Sequence, residues 1–273
     1  MGKVIEIAEK LAKDVTSGSA SIAKIFLRGV VDHGFTRDEL EEAIGLLVKA
    51  HPDMAILRNI ERKLIGSAEG SESAVAKEIL DSIEKAPEKI GMHLVALLPK
   101  EAVVITYSRS YTVFRALEIC AKEGHIKRVI ISEGRPDFEG VEFARNLADI
   151  GINVTLCIDA ALGSFIDEVD AIVVGADAVT PAFVVNKVGT LFLALVANFE
   201  NKPIYALAST HKFIDKMLPT KTIAPEKIMS QTHNKILVES PLFERVRLSL
   251  FSGIVSEQGL MGLPEIYKIV KQE

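Results

Sequence analysis

Two serines and an arginine stand at the point in the sequence where an apolar run gives way to a helical pattern. The stretch VVITYSRSYTVFRAL, residues 103–117, turns polar around Ser108, Arg109 and Ser110 and then returns to apolar residues at a different period. Hydroxyls, a guanidinium and free backbone amides at a helix N-terminus favour negative charge, because the helix dipole attracts anions. This pattern predicts an anion site, most simply for a phosphate monoester. The alternative is a solvated turn in which Ser110 only caps the helix.

Two further apolar runs also end in polar groups. Arg135 follows one run in SEGRP (132–136), and Asp177 follows another in VGADAV (174–179). A second guanidinium would add to the anion site, whereas an aspartate behind small residues could act as a general base or bind ligand hydroxyls. Capping or pairing within its own loop is the other role open to Asp177. We expect these side chains to converge with the two serines on one crevice.

A third polar motif, NKVGT at residues 186–190, opens the apolar stretch LFLALVANF. Asn186 and Lys187 are predicted to lie at the polar mouth of this helix and to point toward the same crevice. The sequence carries no GxGxxG or GxxxxGK[ST] pattern, so no nucleotide cofactor held by a glycine-rich loop is expected. The six histidines are scattered without i, i+4 spacing, and no metal site is expected either.

The elements that must position these groups change in kind near residue 100. Apolar residues recur at helical spacing in the first part, among them Val4, Ala8, Leu11 and Val15. Thr36 followed by Glu39 predicts a capping box at the start of a third helix. A long helix is expected to follow a break at residues 66–73 and to end near Lys89. We therefore predict an N-terminal helical domain over residues 1–100.

From residue 102 onward, short β-branched runs alternate with helical stretches. The runs lie at residues 102–108, 127–133, 152–158, 169–176 and 203–208. They are apolar on both faces, which is typical of a parallel sheet covered by helices on each side. Residues 101–273 are therefore predicted to form a doubly wound, mainly parallel, Rossmann-like α/β domain. Ligands of such sheets bind beyond the carboxyl ends of the strands, which is where the polar motifs fall.

The composition argues against several classes of protein. A chain of 273 residues that is 48% hydrophobic can bury a large core. No apolar run reaches the ~18 residues that span a membrane, and the N-terminus has acids where a signal peptide would be apolar. The net charge of −5 is interspersed, so no direct nucleic-acid role is expected. Two cysteines in apolar contexts fit free thiols in a reducing compartment, and we expect a cytoplasmic protein.

The polar motifs together resemble a known superfamily. It joins the α, β and δ regulatory subunits of translation initiation factor 2B with two aldose-ketose isomerases, methylthioribose-1-phosphate isomerase and ribose-1,5-bisphosphate isomerase. The matching stretches are TYSRSYTV (106–113), SEGRP (132–136), VGADAV (174–179), NKVGT (186–190) and LSLFSGIVSEQGL (248–260). Upstream, SGSASIA (17–23) is similar to the RGAPAIG-type loop by which the isomerases hold substrate phosphate. The resemblance adds Gly18 and Ser19 to the predicted phosphate-binding residues.

Departures from the isomerase pattern bear on activity. Ser108 occupies the position of the isomerases' catalytic cysteine, and Ser17 stands where they place an arginine. A thiol titrates near pH 8.5 and supplies thiolate or acid at neutral pH, whereas a serine hydroxyl does neither without a neighbouring base. Asp177, which matches the isomerases' catalytic aspartate, is retained. Arg109 and Ser110 resemble the YSRS stretch of the initiation-factor subunits.

Three functions stay open at this point. The resemblance favours a regulatory subunit that binds a phosphorylated metabolite or nucleotide and contacts translation initiation factor 2, with little or no enzymatic activity. An aldose-ketose isomerase acting on a phosphorylated pentose, with Asp177 as a catalytic residue, is the second. The third is a ligand-binding oligomer unrelated to translation. The missing cysteine distinguishes the regulatory subunit from the isomerase.

The C-terminal part of the chain also carries a prediction about assembly. KILVES at residues 235–240 has a strand-like pattern, and many apolar residues follow it, among them Leu242, Phe243, Val246, Phe251 and Val255. Such a surface near a terminus is often an interface, and the members of the superfamily pair through their α/β domains. We expect a homodimer joined mainly by this domain. The alternative is that these residues complete the core of the monomer.

Overall fold

The computed structural model describes residues 2–14, 17–231 and 233–272. Five helices precede the first strand: α1 (Lys3–Ala12), α2 (Ser19–Asp32), α3 (Arg37–Ala50), α4 (Ala55–Ile65) and α5 (Glu72–Val95). Val4, Ala8 and Leu11 are buried on one face of α1, as the helical spacing predicts, while Val15 lies outside the described residues. The predicted capping box is present, because Thr36 and Glu39 exchange side-chain to backbone hydrogen bonds at the start of α3. The first part of the chain is therefore helical, as predicted.

Helix α5 continues six residues beyond the predicted end near Lys89. Pro87 lies inside it, and the helix nevertheless runs to Val95. Its first half packs into the core of the other N-terminal helices, whereas Ala86, Ile90 and Leu94 pack against the sheet that follows. Apolar side chains of α5 are buried both before and after Pro87. This tertiary packing stabilises the helix across the proline, beyond the end that the sequence predicts.

Within the described ranges the main sheet has seven strands. They are β1 (Ala102–Tyr107), β2 (Ile126–Ser132), β3 (Val154–Cys157), β4 (Ala171–Gly175), β7 (Ile204–Leu207), β9 (Gly253–Ser256) and β10 (Gly259–Met261). Their order across the sheet is β10-β9-β7-β4-β1-β2-β3, and all neighbours are parallel except β9 and β10. The five predicted runs are the five strands β1, β2, β3, β4 and β7, which confirms the mainly parallel α/β architecture.

Helices cover both faces of this sheet. Alternate residues of each central strand point to opposite sides, so Ile105 lies in one core and Val104 in the other. Helices α6 (Tyr111–Lys122) and α7 (Glu139–Asp149) pack with α5 on one side, and α8 (Thr190–Phe199) and α9 (Leu263–Gln272) pack on the other. No helix in the described ranges is both long and apolar enough to cross a membrane.

A second, three-stranded antiparallel sheet lies beyond β4. It consists of β5 (Ala178–Val179), β6 (Phe183–Lys187) and β8 (Phe243–Arg247), in the order β5-β6-β8. Asn186 and Lys187, which were predicted at the mouth of a helix, are the last two residues of β6, and only Val188 and Gly189 separate them from α8. This small sheet carries both side chains to the crevice side of the main sheet.

The C-terminal apolar run differs from its prediction. Residues 235–240 form no strand, and Ile236 and Leu237 are exposed. Val246 and Val255, in contrast, are completely buried within the chain's own cores, since β8 and β9 both pair with other strands. These two residues therefore belong to the core of the single chain, whereas Leu242 and Phe243 are half-buried.

Candidate functional site

The crevice lies where the strand order reverses. From β1 the chain moves outward through β2 and β3, then returns to β4 on the other side of β1. The loops that follow β1 and β4 therefore diverge at their carboxyl ends and leave an opening, the position where ligands bind in open α/β sheets. Ser108 and Ser110 follow β1, and Asp177 follows β4. The sequence motifs thus flank this opening.

The loop after β1 is held in an unusual backbone conformation. Ser108 has a φ of 64° in the left-handed region, and Ser110 is the N-cap of α6, where its Oγ accepts a hydrogen bond from the amide of Val113 at 3.4 Å. Gly175 allows the close approach of this loop, because a Cβ built on it would lie 2.9 Å from the Oγ of Ser110. Ser110 therefore has the capping role that the sequence left open.

Ser108 takes part in a three-membered polar cluster, which we call the Ser108–Glu139–Lys187 cluster. The hydroxyl of Ser108 donates to Oε1 of Glu139 at 3.2 Å, and the same oxygen lies 2.8 Å from the ammonium of Lys187. The side chains of Lys187 and Glu139 are 5% and 17% exposed. Oε2 of Glu139 is buried and has no hydrogen-bond partner among the described residues. The loop after β1, the start of α7 and the end of β6 meet at this carboxylate.

Asn186 and the turn after it are fixed by neighbouring groups. The side-chain amide of Asn186 donates to Thr190 at 3.0 Å, and the Thr190 hydroxyl donates to the carbonyl of Lys187 at 2.6 Å. The hydroxyl of Tyr107 donates to the carbonyl of Val188 at 2.7 Å. Gly189, with a φ of 109°, leaves room for that phenol, since a Cβ there would lie 2.6 Å from it. These bonds hold Lys187 in place below the crevice.

Carboxylates of the chain itself occupy two further groups of backbone amides. Asp159 accepts from the amides of Gly134 at 2.9 Å and Arg135 at 2.8 Å, in the loop after β2. One oxygen of Glu244, on β8, accepts from the amides of Gly189 at 2.7 Å and Leu191 at 2.8 Å, at the start of α8. Free amides are predicted from the sequence at the start of α6, whereas at these two other positions the chain supplies its own anions.

The two arginines of the predicted anion site lie at the surface. Arg109 pairs with Glu142 at 3.2 Å. The guanidinium of Arg135 lies over the ring of Phe138, 5.0 Å from its centroid, and the residue is exposed. Of the predicted residues, the structure therefore joins Ser108 with Lys187 through Glu139, and it leaves both arginines outside this cluster.

Asp177 contacts the helical part of the chain. The hydroxyl of Ser19, in the first turn of α2, donates to Oδ1 of Asp177 at 3.1 Å, and Ser19 is buried. Gly18, the N-cap of that helix, is exposed and contributes no side chain. The upstream loop and the loop after β4, which are far apart in the sequence, are thus adjacent in the structure.

A buried lysine lies behind Asp177. Lys212 donates to the carbonyl of Ala176 at 2.6 Å. Burial lowers the pKa of the Lys212 ammonium, while the nearby charge of Asp177 opposes that shift. A lysine of this kind can lose its proton more readily than one at the surface. Lys212 therefore places a buried titratable group beside the loop that carries Asp177.

Asp53 and two basic groups extend this charged region toward α4. The carboxylate of Asp53 lies 3.5 Å from the ammonium of Lys221, which in turn lies 3.1 Å from Nδ1 of His51. Burial raises the pKa of Asp53, Lys221 opposes the rise, and the charge of Asp177 adds to it. In the described part of the chain, no group of His, Cys, Asp and Glu side chains has the arrangement of a metal site.

No sequence motif marks four of these residues, Glu139, Glu244, Asp159 and Lys212. Glu139 is three residues beyond SEGRP, and Lys212 follows a predicted strand in ASTHK, so both lie within a few residues of a predicted strand end. Glu244 and Asp159 lie on other elements. Their partners depend on long-range packing that no local pattern indicates.

Comparison with known proteins decides the family. A family model described as the initiation factor 2 subunit family, IF-2B, matches residues 4–262. The chain belongs to this family. The IF-2B match extends upstream of the strand-end motifs and includes the N-terminal helices, among them the segment that holds Gly18 and Ser19.

Relatives with different names match nearly the whole of this IF-2B chain. A Pyrococcus furiosus protein described as translation initiation factor eIF-2B subunit 2-like is 29% identical over 95% of this chain and 96% of its own. An Archaeoglobus fulgidus protein named ribose 1,5-bisphosphate isomerase is 30% identical over 100% of this chain and 94% of its own. Sequence similarity alone therefore does not choose between a factor subunit and an isomerase.

A solved structure agrees with the fold. The crystal structure of the translation initiation factor eIF-2B of Pyrococcus horikoshii OT3 has a TM-score of 0.81 at 28% identity, covering 94% of this chain and 96% of that one. The IF-2B chain thus shares its architecture from the N-terminal helices to the C-terminal strands.

Proposed function

We propose that this IF-2B family member is a regulatory, subunit-type protein that binds a phosphorylated metabolite or nucleotide in the crevice and contacts translation initiation factor 2. It acts in the cytoplasm without a cofactor. The relatives described as eIF-2B proteins support this proposal. The residue that carries it is Ser108.

Ser108 lacks the acidity that sugar-phosphate isomerisation needs at this position. A serine hydroxyl gives no useful anion near neutral pH, whereas the cysteine of the resembling isomerases would. Its neighbour Glu139 is already paired with the buried ammonium of Lys187 at 2.8 Å. The carboxylate oxygen that Ser108 faces therefore already contacts a cation. The cluster therefore supports ligand binding better than turnover.

A second function, an aldose-ketose isomerase acting on a phosphorylated pentose, has one observation in its favour. Asp177 is retained at the crevice, and Ser108 has a carboxylate within 3.2 Å that could accept its proton. The Archaeoglobus fulgidus relative named as an isomerase is 30% identical over the whole of this chain.

Two measurements on the purified protein separate these functions. A thermal-shift screen of phosphorylated sugars and nucleotides identifies ligands, and assays of ribose 1,5-bisphosphate and 5-methylthioribose 1-phosphate test turnover. The regulatory function predicts stabilisation by at least one ligand, negligible turnover, and direct binding to translation initiation factor 2. Turnover at an enzyme-like rate of about 1 per second that is lost in Asp177→Asn would establish the isomerase instead.

We also propose that the protein is a homodimer. Three apolar side chains of α8, Phe192, Leu195 and Phe199, are 55%, 51% and 83% exposed in the single chain. They lie on the α/β part of the chain, and the resemblance to the superfamily implies that two copies pair through this part. Light scattering at micromolar concentration is the direct test, and a monomeric mass would refute this proposal.

A further inference from the structure

We propose that Glu139 determines ligand specificity by closing the Lys187 position of the crevice to phosphate, so that the crevice takes ligands with one phosphate in preference to two. This inference rests on the proposed function, because it concerns which phosphorylated ligand the crevice binds. It assigns a role to a residue that the sequence motifs did not mark.

The buried ammonium of Lys187 is the starting point. Its side chain is 5% exposed, and a buried cation is stable only with a negative partner. A phosphate group of a ligand could serve as that partner. In this structure the partner is Glu139 of the same chain, at 2.8 Å. An anionic ligand that approached Lys187 would therefore compete with a carboxylate that is covalently tethered beside it.

The second oxygen of Glu139 strengthens this exclusion. Oε2 is buried and has no hydrogen-bond donor among the described residues. A phosphate next to it would place two anions together in a region of low dielectric, which is costly. An uncharged hydroxyl at the same position would meet no such repulsion. The Ser108–Glu139–Lys187 cluster therefore favours an uncharged, hydroxyl-bearing end of a ligand.

Two neighbouring groups of backbone amides are also occupied by carboxylates of the chain. Asp159 occupies the amides of Gly134 and Arg135, and Glu244 occupies those at the start of α8. Three carboxylates of the chain thus surround this end of the crevice. The N-terminus of α2, which begins at Ser19, remains the predicted place for the single phosphate, because backbone amides at a helix start favour an anion.

The test compares two ligands and four variants by isothermal titration calorimetry. The ligands are ribose 1,5-bisphosphate and 5-methylthioribose 1-phosphate, which carry two phosphates and one. We expect the wild type to bind the monophosphate more tightly. Glu139→Gln should raise the affinity for the bisphosphate about 10-fold to 100-fold, the range of one charge-assisted contact, with a change of less than about threefold for the monophosphate.

Controls separate the specific effect from a change in net charge. Asp137→Asn removes one acidic group from the same loop, where the side chain is exposed and pairs with Lys227, and should leave both affinities unchanged. The double variant Glu139→Gln with Lys187→Met should not show the higher affinity for the bisphosphate, because the cation is absent. The single variant Lys187→Met is the reference for this comparison. Circular dichroism verifies that each variant is folded.

Three outcomes would overturn the proposal. The wild type could bind the bisphosphate more tightly than the monophosphate, or a folded Glu139→Gln variant could show no selective gain in affinity for the bisphosphate. The third outcome is that neither the wild type nor the variant binds either ligand. The first can be measured even if the variant does not fold. Turnover of either sugar phosphate by the wild type would refute the proposed regulatory function, while the affinities would still decide the role of Glu139.

Discussion

The hydroxyl of Ser19 donates a hydrogen bond of 3.1 Å to Oδ1 of Asp177, which joins the first turn of α2 to the loop after β4. The two residues are 158 positions apart in the sequence. Through this contact the helical part of the chain forms one wall of the crevice, so any ligand at Asp177 also faces the N-terminus of α2.

Loss of this hydrogen bond should reduce stability. We expect Ser19→Ala to lower the free energy of unfolding by about 1 to 2 kcal/mol, because a buried hydroxyl that donates to a carboxylate is lost. Urea unfolding measures the change. Ser21→Ala, two residues further along the same helix, is the control and should change stability by less than about 0.5 kcal/mol. Equal effects of both substitutions would show that the contact with Asp177 has no special role.

Restoring the thiol alone should not create an isomerase. We expect Ser108→Cys to show negligible turnover of ribose 1,5-bisphosphate, because Glu139 still holds Lys187 and leaves no cation for a second phosphate. A coupled assay that detects rates well below about 1 per second is the measurement. A clear gain in rate that disappears when Asp177→Asn is added would contradict this prediction.

The arginines at the crevice rim should contribute modestly to anion binding. We expect Arg135→Ala and Arg109→Ala each to weaken binding of a phosphorylated ligand by about 1 kcal/mol, toward the lower end for charge-assisted contacts because solvent screens groups at the surface. Calorimetry at two salt concentrations should show a larger loss at low salt. Unchanged affinity in both variants, even at low salt, would show that neither arginine attracts the ligand.

His211 should make the protein sensitive to mild acid. Burial lowers the pKa of His211 from 6.5 to about 4, and its Nε2 lies 2.9 Å from the hydroxyl of Ser82. Below pH 6.5 the unfolded chain binds a proton that the folded chain does not, so stability falls as the pH decreases from about 6.5 toward 4. The His211 contribution amounts to about 2 kcal/mol between pH 7 and 5.

Urea unfolding across this pH range isolates the histidine. His211→Gln should remove that part of the pH dependence, whereas His33→Gln, at an exposed position, should leave it unchanged. A wild-type pH profile that matches the His211→Gln profile would refute the assignment.

Gly175 should tolerate no side chain. A Cβ there would lie 2.9 Å from Oγ and 3.0 Å from Cβ of Ser110, so Gly175→Ala must displace the N-cap of α6. We expect a loss of about 1 to 3 kcal/mol in the free energy of unfolding, which is typical of overpacking. Gly45→Ala, in α3 with open space around the glycine, should instead be neutral or stabilise by up to about 1 kcal/mol. Thermal unfolding of both variants gives the comparison.

The sequence was sufficient for the main sheet because its central strands are apolar on both faces. Each of the five predicted runs lies within two residues of an observed strand at its C-terminal end, as with β1, which ends at Tyr107. The capping box of α3 was equally predictable, since Thr36 and Glu39 interact locally. Local patterns and strong hydrophobic runs were reliable here.

The site was less predictable because its key contacts join distant segments. The charge of Lys187 suggests an exposed side chain. Its burial is explained by the ion pair with Glu139, which lies on α7. The prediction for residues 235–240 was wrong for a different reason: the apolar residues suggest a strand, but none of the strands in the described ranges pairs with this segment. Both cases depend on tertiary packing that the local sequence does not contain.

The position of helix α5 between two cores determines how the chain unfolds. Ile79 and Ile83 belong to the core of the N-terminal helices, while Ile90 and Leu94 belong to the core beside the sheet. Because one rigid helix anchors both cores, melting of either would expose apolar surface of the other. The chain should therefore lose its structure in a single cooperative transition, and the amide protons in the middle of α5 should be among the slowest to exchange with solvent.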